Sequence, residues 1–203
     1  MDITFAPDLA VDDASRKAAT GKTFAERAAL IDERGLGGKV RDAIQLIYDQ
    51  TGRGKDVWWP TTIWVEYERL RGIVKKDGRG EGYNICCTKG FKLAPEVVFE
   101  AFATEQALAS WVTGWKGAIA EGATFSVAGC TGTVGRIRPG KDIRMSWQSP
   151  GFEETEVEIQ FARMGEKTTV NVYHKRIQTR AEADGLRRAW GGALDLLRAK
   201  LAA

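Results

Sequence analysis

Few side chains in this sequence are equipped for chemistry, and the first is His174, the single histidine among 203 residues. It interrupts an apolar alternation in which Val170, Val172 and His174 share one face of a strand, while Thr169, Asn171, Tyr173 and Lys175 share the other. An imidazole titrates near neutrality. On an inward face it serves as a general base, as a hydrogen-bond partner for a ligand, or as a structural histidine with both nitrogens engaged. Catalysis also needs a nucleophile and a group that orients the base. No such pair is readable, so His174 is the one catalytic candidate and no reaction follows from it.

Metal and cofactor sites find no support. Cys86, Cys87 and Cys130 include no pair at C-x-x-C spacing, and one histidine cannot complete a zinc shell with them. Cys86 and Cys87 are adjacent on a strand and must point to opposite faces, which argues against a disulfide framework. Gly21-Lys22-Thr23 resembles the end of a phosphate loop, but Arg16 stands where that loop requires glycine. Gly78, Gly80 and Gly82 have linker spacing, so no nucleotide cofactor is expected either.

The elements that must position these groups change rhythm along the chain. Up to Gly72 the period is helical. Thr23 and Glu26 have capping-box spacing before Phe24, Ala28 and Ile31, and Gly35 ends that helix. Val40, Ala43, Ile44 and Ile47 share a face of a second helix that runs to Gly52. Pro60 opens a third, with Ile63, Trp64, Tyr67 and Leu70 inward. Trp58 and Trp59 are read as a hydrophobic joint or an exposed contact. Charge and glycine between Lys75 and Gly82 mark a linker, which predicts a helical domain over 1–74, a linker over 75–82 and a second domain over 83–203.

Beyond the linker the pattern alternates. Tyr83, Ile85 and Cys87 begin a strand, and Pro95 opens a short helix carrying Val98, Phe99 and Phe102. A second short helix runs through Leu108, Trp111 and Val112. Five more strands follow: around Phe125 and Val127; over 131–138, with the poor alternation of an edge or a bulge; and through Ile143–Trp147, Val157–Phe161 and Val170–His174. The longest helix closes the chain. Thr179 and Glu182 have capping-box spacing, and Leu186, Trp190, Ala193, Leu194, Leu197 and Leu201 make one apolar stripe. Gly191 and Gly192 sit inside it, either to pack against a bulky residue such as Trp147 or to leave room for something else.

The expected fold class is therefore α+β: a curved antiparallel sheet of about six strands wrapped on a long C-terminal helix, with an N-terminal three-helix appendage. Apolar residues at 43% and charged residues at 28% are ordinary for a globular chain. The net charge of +3 splits into +1 over 1–80 and +2 over 81–203, with no basic face for nucleic acid. The N-terminus lacks the basic and apolar regions of a signal peptide, and no apolar run is long enough to span a bilayer, so a cytoplasmic location is expected.

This order of elements resembles the START-like, helix-grip superfamily often labelled SRPBCC, and within it the branch named after activators of the heat-shock chaperone ATPase. The residues that carry the likeness are Leu93–Phe102, Ile143–Trp147, Val170–His174 and Trp190–Leu197, with Ala189 where the family often has glycine. Residues around Thr20–Thr23 and Val65–Gly72 are similar to a small helical domain of unknown function. The resemblance implies a cavity between sheet and helix that takes apolar molecules in some members, and contact with a protein partner in others. The candidate wall is Phe125, Met145, Trp147, Ile159, Val172, His174 and Trp190, and the same residues either line a cavity or interlock as core, since periodicity reports burial and not vacancy. Three functions follow: binding of a small apolar or aromatic molecule, docking on a protein partner, or an enzyme using His174. An interior filled by side chains favours the second.

Overall fold

The computed structural model describes residues 1–51 and 58–202. The chain divides into two compact units, Pro7–Tyr83 and Met1–Ala6 together with Asn84–Ala203.

The first unit is built from α1 (Asp13–Thr20), α2 (Phe24–Glu33), α3 (Val40–Thr51) and α4 (Trp59–Arg71), one helix more than the apolar pattern predicts. The additional helix, α1, buries Arg16 and Thr20 and has no stripe of large apolar residues to announce it. Its ends follow capping rules instead: the Asp12 side chain accepts from Ser15 N–H, and Gly21 closes it at φ 75°. Arg16 pairs with Asp13 and, at 2.6 Å, with Glu66, while its guanidinium lies over the rings of Phe24 and Trp59. The other three helices join around Ile31, Ala43, Ile47, Ile63, Trp64 and Tyr67. Leu70, expected inward, is 56% exposed on the last turn of α4. Gly52, the expected end of α3, lies outside the described residues. Residues 75–82 fold back as a turn, in which the Glu68 carboxylate accepts from the amides of Glu81 (3.0 Å) and Gly82 (3.3 Å).

The second unit runs β1 (Tyr83–Phe91), α5 (Pro95–Glu100), α6 (Glu105–Ala109), β2 (Thr124–Val127), β3 (Cys130–Arg138), β4 (Asp142–Trp147), β5 (Thr155–Met164), β6 (Lys167–Ile177) and α7 (Arg180–Ala202). The strands form one sheet in the order β1-β6-β5-β4-β3-β2, and β2 to β6 pair antiparallel as successive hairpins. Along β1 and β6, Asn84 meets Arg176 while Thr88 meets Asn171, so this pair is antiparallel as well. The poorly alternating strand β3 carries a bulge between Val134 and Arg136 and is internal; the edge on its side of the sheet is the short β2. One face of the sheet is apolar and lies against α7, whose Leu186, Trp190, Ala193, Leu194 and Leu197 are buried. This is the α+β, helix-grip arrangement.

One local expectation is corrected. A Cβ on Gly191 or Gly192 would meet no atom within 4 Å, so neither glycine is there for close packing. The constrained glycine of α7 is Gly185, where a Cβ would stand 2.6 Å from the Thr4 carbonyl oxygen. Among the described residues, no helix is long and apolar enough to cross a membrane, and no three His, Cys, Asp or Glu side chains gather where they could hold a metal.

Candidate functional site

Strand register places the predicted wall. Met145 and His174 flank Val157 across β4, β5 and β6, and Ile143 and Val172 flank Ile159 in the next row, so these side chains form two tiers on the inner face. Phe125 reaches the same face from β2 because position 132 is glycine: a Cβ there would meet the Phe125 ring at 2.5 Å and Ser146 O at 2.2 Å. Trp190 descends from α7. At the centre is Trp147, with ring centroids 5.7 Å from Phe125, 5.7 Å from His174 and 5.4 Å from Trp190.

All seven wall residues are buried, and they separate into two groups. Phe125, Trp147, Val172 and His174 are packed as core. Met145, Ile159 and Trp190 border an entirely apolar cavity of about 10 Å³, closed on its far side by Leu108, Trp111, Val112 and Ile119. That volume is close to the space of one water molecule. Its far wall is supplied partly by the stretch between α6 and β2, which holds no helix or strand beyond the isolated Lys116–Ser126 bridge. Trp111 and Trp115 are fixed there by indole hydrogen bonds to Ala101 O and Gly117 O, and Trp115 stacks on Phe125 at 4.4 Å.

His174 is fully buried, and burial lowers its pKa to about 3. Its hydrogen bonds fix the tautomer. Trp190 Nε1 donates to Nδ1 (3.4 Å), so the ring proton is on Nε2 and is donated to Thr155 Oγ1 (2.7 Å), whose own proton goes to Trp147 O (3.0 Å). The imidazole is neutral with both nitrogens engaged. No carboxylate takes part in this chain, and the Thr155 hydroxyl commits its proton to a backbone carbonyl and not to the imidazole, which is the arrangement of a structural histidine.

The residue missed by sequence reasoning is Glu182. Its amide donates to Thr179 Oγ1 (3.3 Å), which is half of the predicted capping box. The carboxyl does not complete the box; it turns inward, 1% exposed, beside Ser149. Burial raises it to about 7, tempered by the Ser149 hydroxyl and reinforced by the charge of Glu153. On α2 the same spacing gives a full box, with Glu26 accepting from Thr23 N–H at 2.7 Å. Capping spacing therefore conceals an inward carboxyl when the first turn is covered, and no other sequence signal reveals it.

On the opposite face of the sheet, Thr124, Ser126, Thr131, Thr133 and Ser146 line an open groove of about 610 Å³, with Lys116 and Glu154 also at its margin. On that face Glu158 of β5 ties β4 to β6 through Arg144 and Lys175. Burial alone would raise its carboxyl, but hydrogen bonds from Lys175, Arg144 and Gln160 hold it at about 2.

Comparison with known proteins agrees with this architecture. CalU16 from Micromonospora echinospora is 23% identical with a TM-score of 0.55, covering 61% of this chain and 78% of its own. The Aha1 dimer structure from Colwellia psychrerythraea gives 24% identity and 0.52 over 59% and 96% of the two chains. PFC0360w, described as an HSP90 activator from Plasmodium falciparum, gives 20% and 0.51 over 60% and 97%. Likeness at these identities is likeness of fold. No curated protein matches the chain. Residues 92–202, more than half of the sequence, match the family described as Activator of Hsp90 ATPase homolog 1-like protein, and the chain belongs to that family.

Proposed function

We propose that the chain is a binding module that takes a small apolar or aromatic molecule between the sheet and α7, without catalysing a reaction on it. The observation that carries this reading is the apolar cavity at Met145, Ile159 and Trp190, bordered by residues of α6, β4, β5 and α7 and by the irregular stretch before β2. Small-molecule sites are predominantly apolar concavities, and long loops without secondary structure are the parts of a fold that move at least cost. At about 10 Å³ the cavity is closed, so binding requires residues 110–123 to shift outward. The sheet and α7 need not change. Native mass spectrometry of the purified chain tests this: a bound apolar mass, or uptake of added naphthalene at one equivalent, is the expected result. A bare mass under both conditions contradicts the reading.

A second reading is docking on a protein partner, favoured by the nearly filled interior and by the hydroxyl-lined groove on the outer face. One similar structure is described as an HSP90 activator, which makes a chaperone ATPase the first partner to try. Thr131→Glu with Thr133→Glu places charge in that groove at two positions that do not line the apolar cavity. Loss of partner binding in this variant, with naphthalene uptake unchanged, separates the two readings.

A further inference from the structure

The least explained chemistry of the second unit lies at the N-terminal end of α7, on the indole edge of Trp147 and not at the cavity bordered by Trp190. Four elements meet there. Cys130 begins β3, Trp147 ends β4, Ser149 lies in the β4–β5 connection and Glu182 is in the first turn of α7; none is more than 1% exposed. The bridge between Thr131 and Gln148 sets Cys130 beside Ser149, and the thiol and the carboxyl both register these neighbours. The Ser149 hydroxyl and the Trp147 indole both temper the rise that burial imposes on Cys130, and Ser149 does the same for Glu182. Yet Trp147 Nε1, Ser149 Oγ and Glu182 Oε1 complete no hydrogen bond of ordinary geometry with any described residue.

One orphaned buried polar atom is destabilising, and native folds keep few of them. Three at one place, around an inward carboxyl with no cation beside it among the described residues, point to a guest. The inventory of the three atoms defines it. The indole offers a donor, the carboxyl oxygen asks for one, and the serine does either. A carbonyl guest would accept from the indole and the serine but serve the carboxyl only when that is protonated, and an ammonium would leave the indole unserved. A hydroxyl oxygen has one proton to give and two lone pairs to receive, and serves all three.

We propose that Trp147 Nε1, Ser149 Oγ and Glu182 Oε1 form a binding site for one hydroxyl group, supplied by an alcohol or phenol ligand or by a buried water. The site does not depend on the apolar cavity, and its occupant is read at a different atom.

The test is the indole N–H resonance of Trp147 in the full chain, assigned by its loss in Trp147→Phe, followed during titration with phenol and with toluene, which has a methyl group in place of the hydroxyl. If a ligand hydroxyl is the guest, the resonance moves with phenol and not with toluene. If water is the guest, the resonance shows a cross-relaxation peak to a long-lived water, and phenol leaves it in place. Either result, abolished in Glu182→Leu while the other indole resonances stay put, supports the site. Should Glu182→Leu fail to fold, Ser149→Ala serves: about tenfold weaker phenol binding, or a water peak lost, is expected for one hydrogen bond removed. Equal responses to phenol and toluene with no water peak, or signals unchanged in these variants, overturn the proposal.

Discussion

His174 and Glu182 are both shielded from water, and shielding moves them in opposite directions, the imidazole down to about 3 and the carboxyl up to about 7. The unfolded chain protonates His174 near 6.5, before the native state does, so the contribution of this residue to stability is complete above pH 6.5 and is lost as pH falls toward 3. For Glu182 the native state keeps a proton that the unfolded chain has released above 4.5, so its contribution is complete below pH 4.5 and is lost as pH rises toward 7. The charged or titrating groups that face this carboxyl are Glu153 and Cys130. Each slope is about 1.4 kcal/mol per pH unit, and the two cancel in their shared window. Urea unfolding at pH 5 and pH 6 should therefore show Glu182→Gln gaining stability with pH relative to the wild type, and His174→Gln losing it. Variants that keep the wild-type pH dependence would contradict both assignments. The inward position of His174 was legible in the alternation of β6, but its partners come from β5 and α7 and no local pattern announces them. Glu182 was misread because capping spacing reports the backbone of a helix end and not what covers it.

At the scale of elements, the helices and strands that bury an apolar face were readable, and those that do not were not. α1 escaped because Arg16 and Thr20 form its inner face. β3 was read as edge or bulged; its irregularity is the bulge, and pairing on both sides is a long-range property that one strand cannot display. α7 gives the sharpest contrast between composition and space. Gly192 has open room for a methyl group, so Gly192→Ala should stabilise the chain by about 1 kcal/mol through helix propensity alone. Gly185→Ala should destabilise it, because its new methyl would collide with the Thr4 backbone. Thermal unfolding of the two variants checks the pair: stabilisation by Gly185→Ala would contradict the path of residues 1–6 over α7, and destabilisation by Gly192→Ala the open space at that position.

For the whole molecule, the order of elements and the antiparallel sheet with its closing helix followed from period and turn chemistry, because each element buries one face and only α7 remains to cover the sheet. How much space is left between them did not follow. All seven wall residues are buried, yet four of them pack as core and three border the cavity, a division set by ring orientations and by Gly132 allowing Phe125 to cross β3. Binding by outward movement of residues 110–123 is the central claim, and Ile119, half-buried at the cavity wall, is where it is most exposed to test. The measurement is thermal unfolding with and without saturating naphthalene, for the wild type and for Ile119→Trp, which fills the cavity from the side of the irregular stretch. A ligand that binds only the native state must raise the melting temperature. A rise of several degrees in the wild type and none in Ile119→Trp is the predicted result; no rise in the wild type, or an equal rise in both, would contradict it.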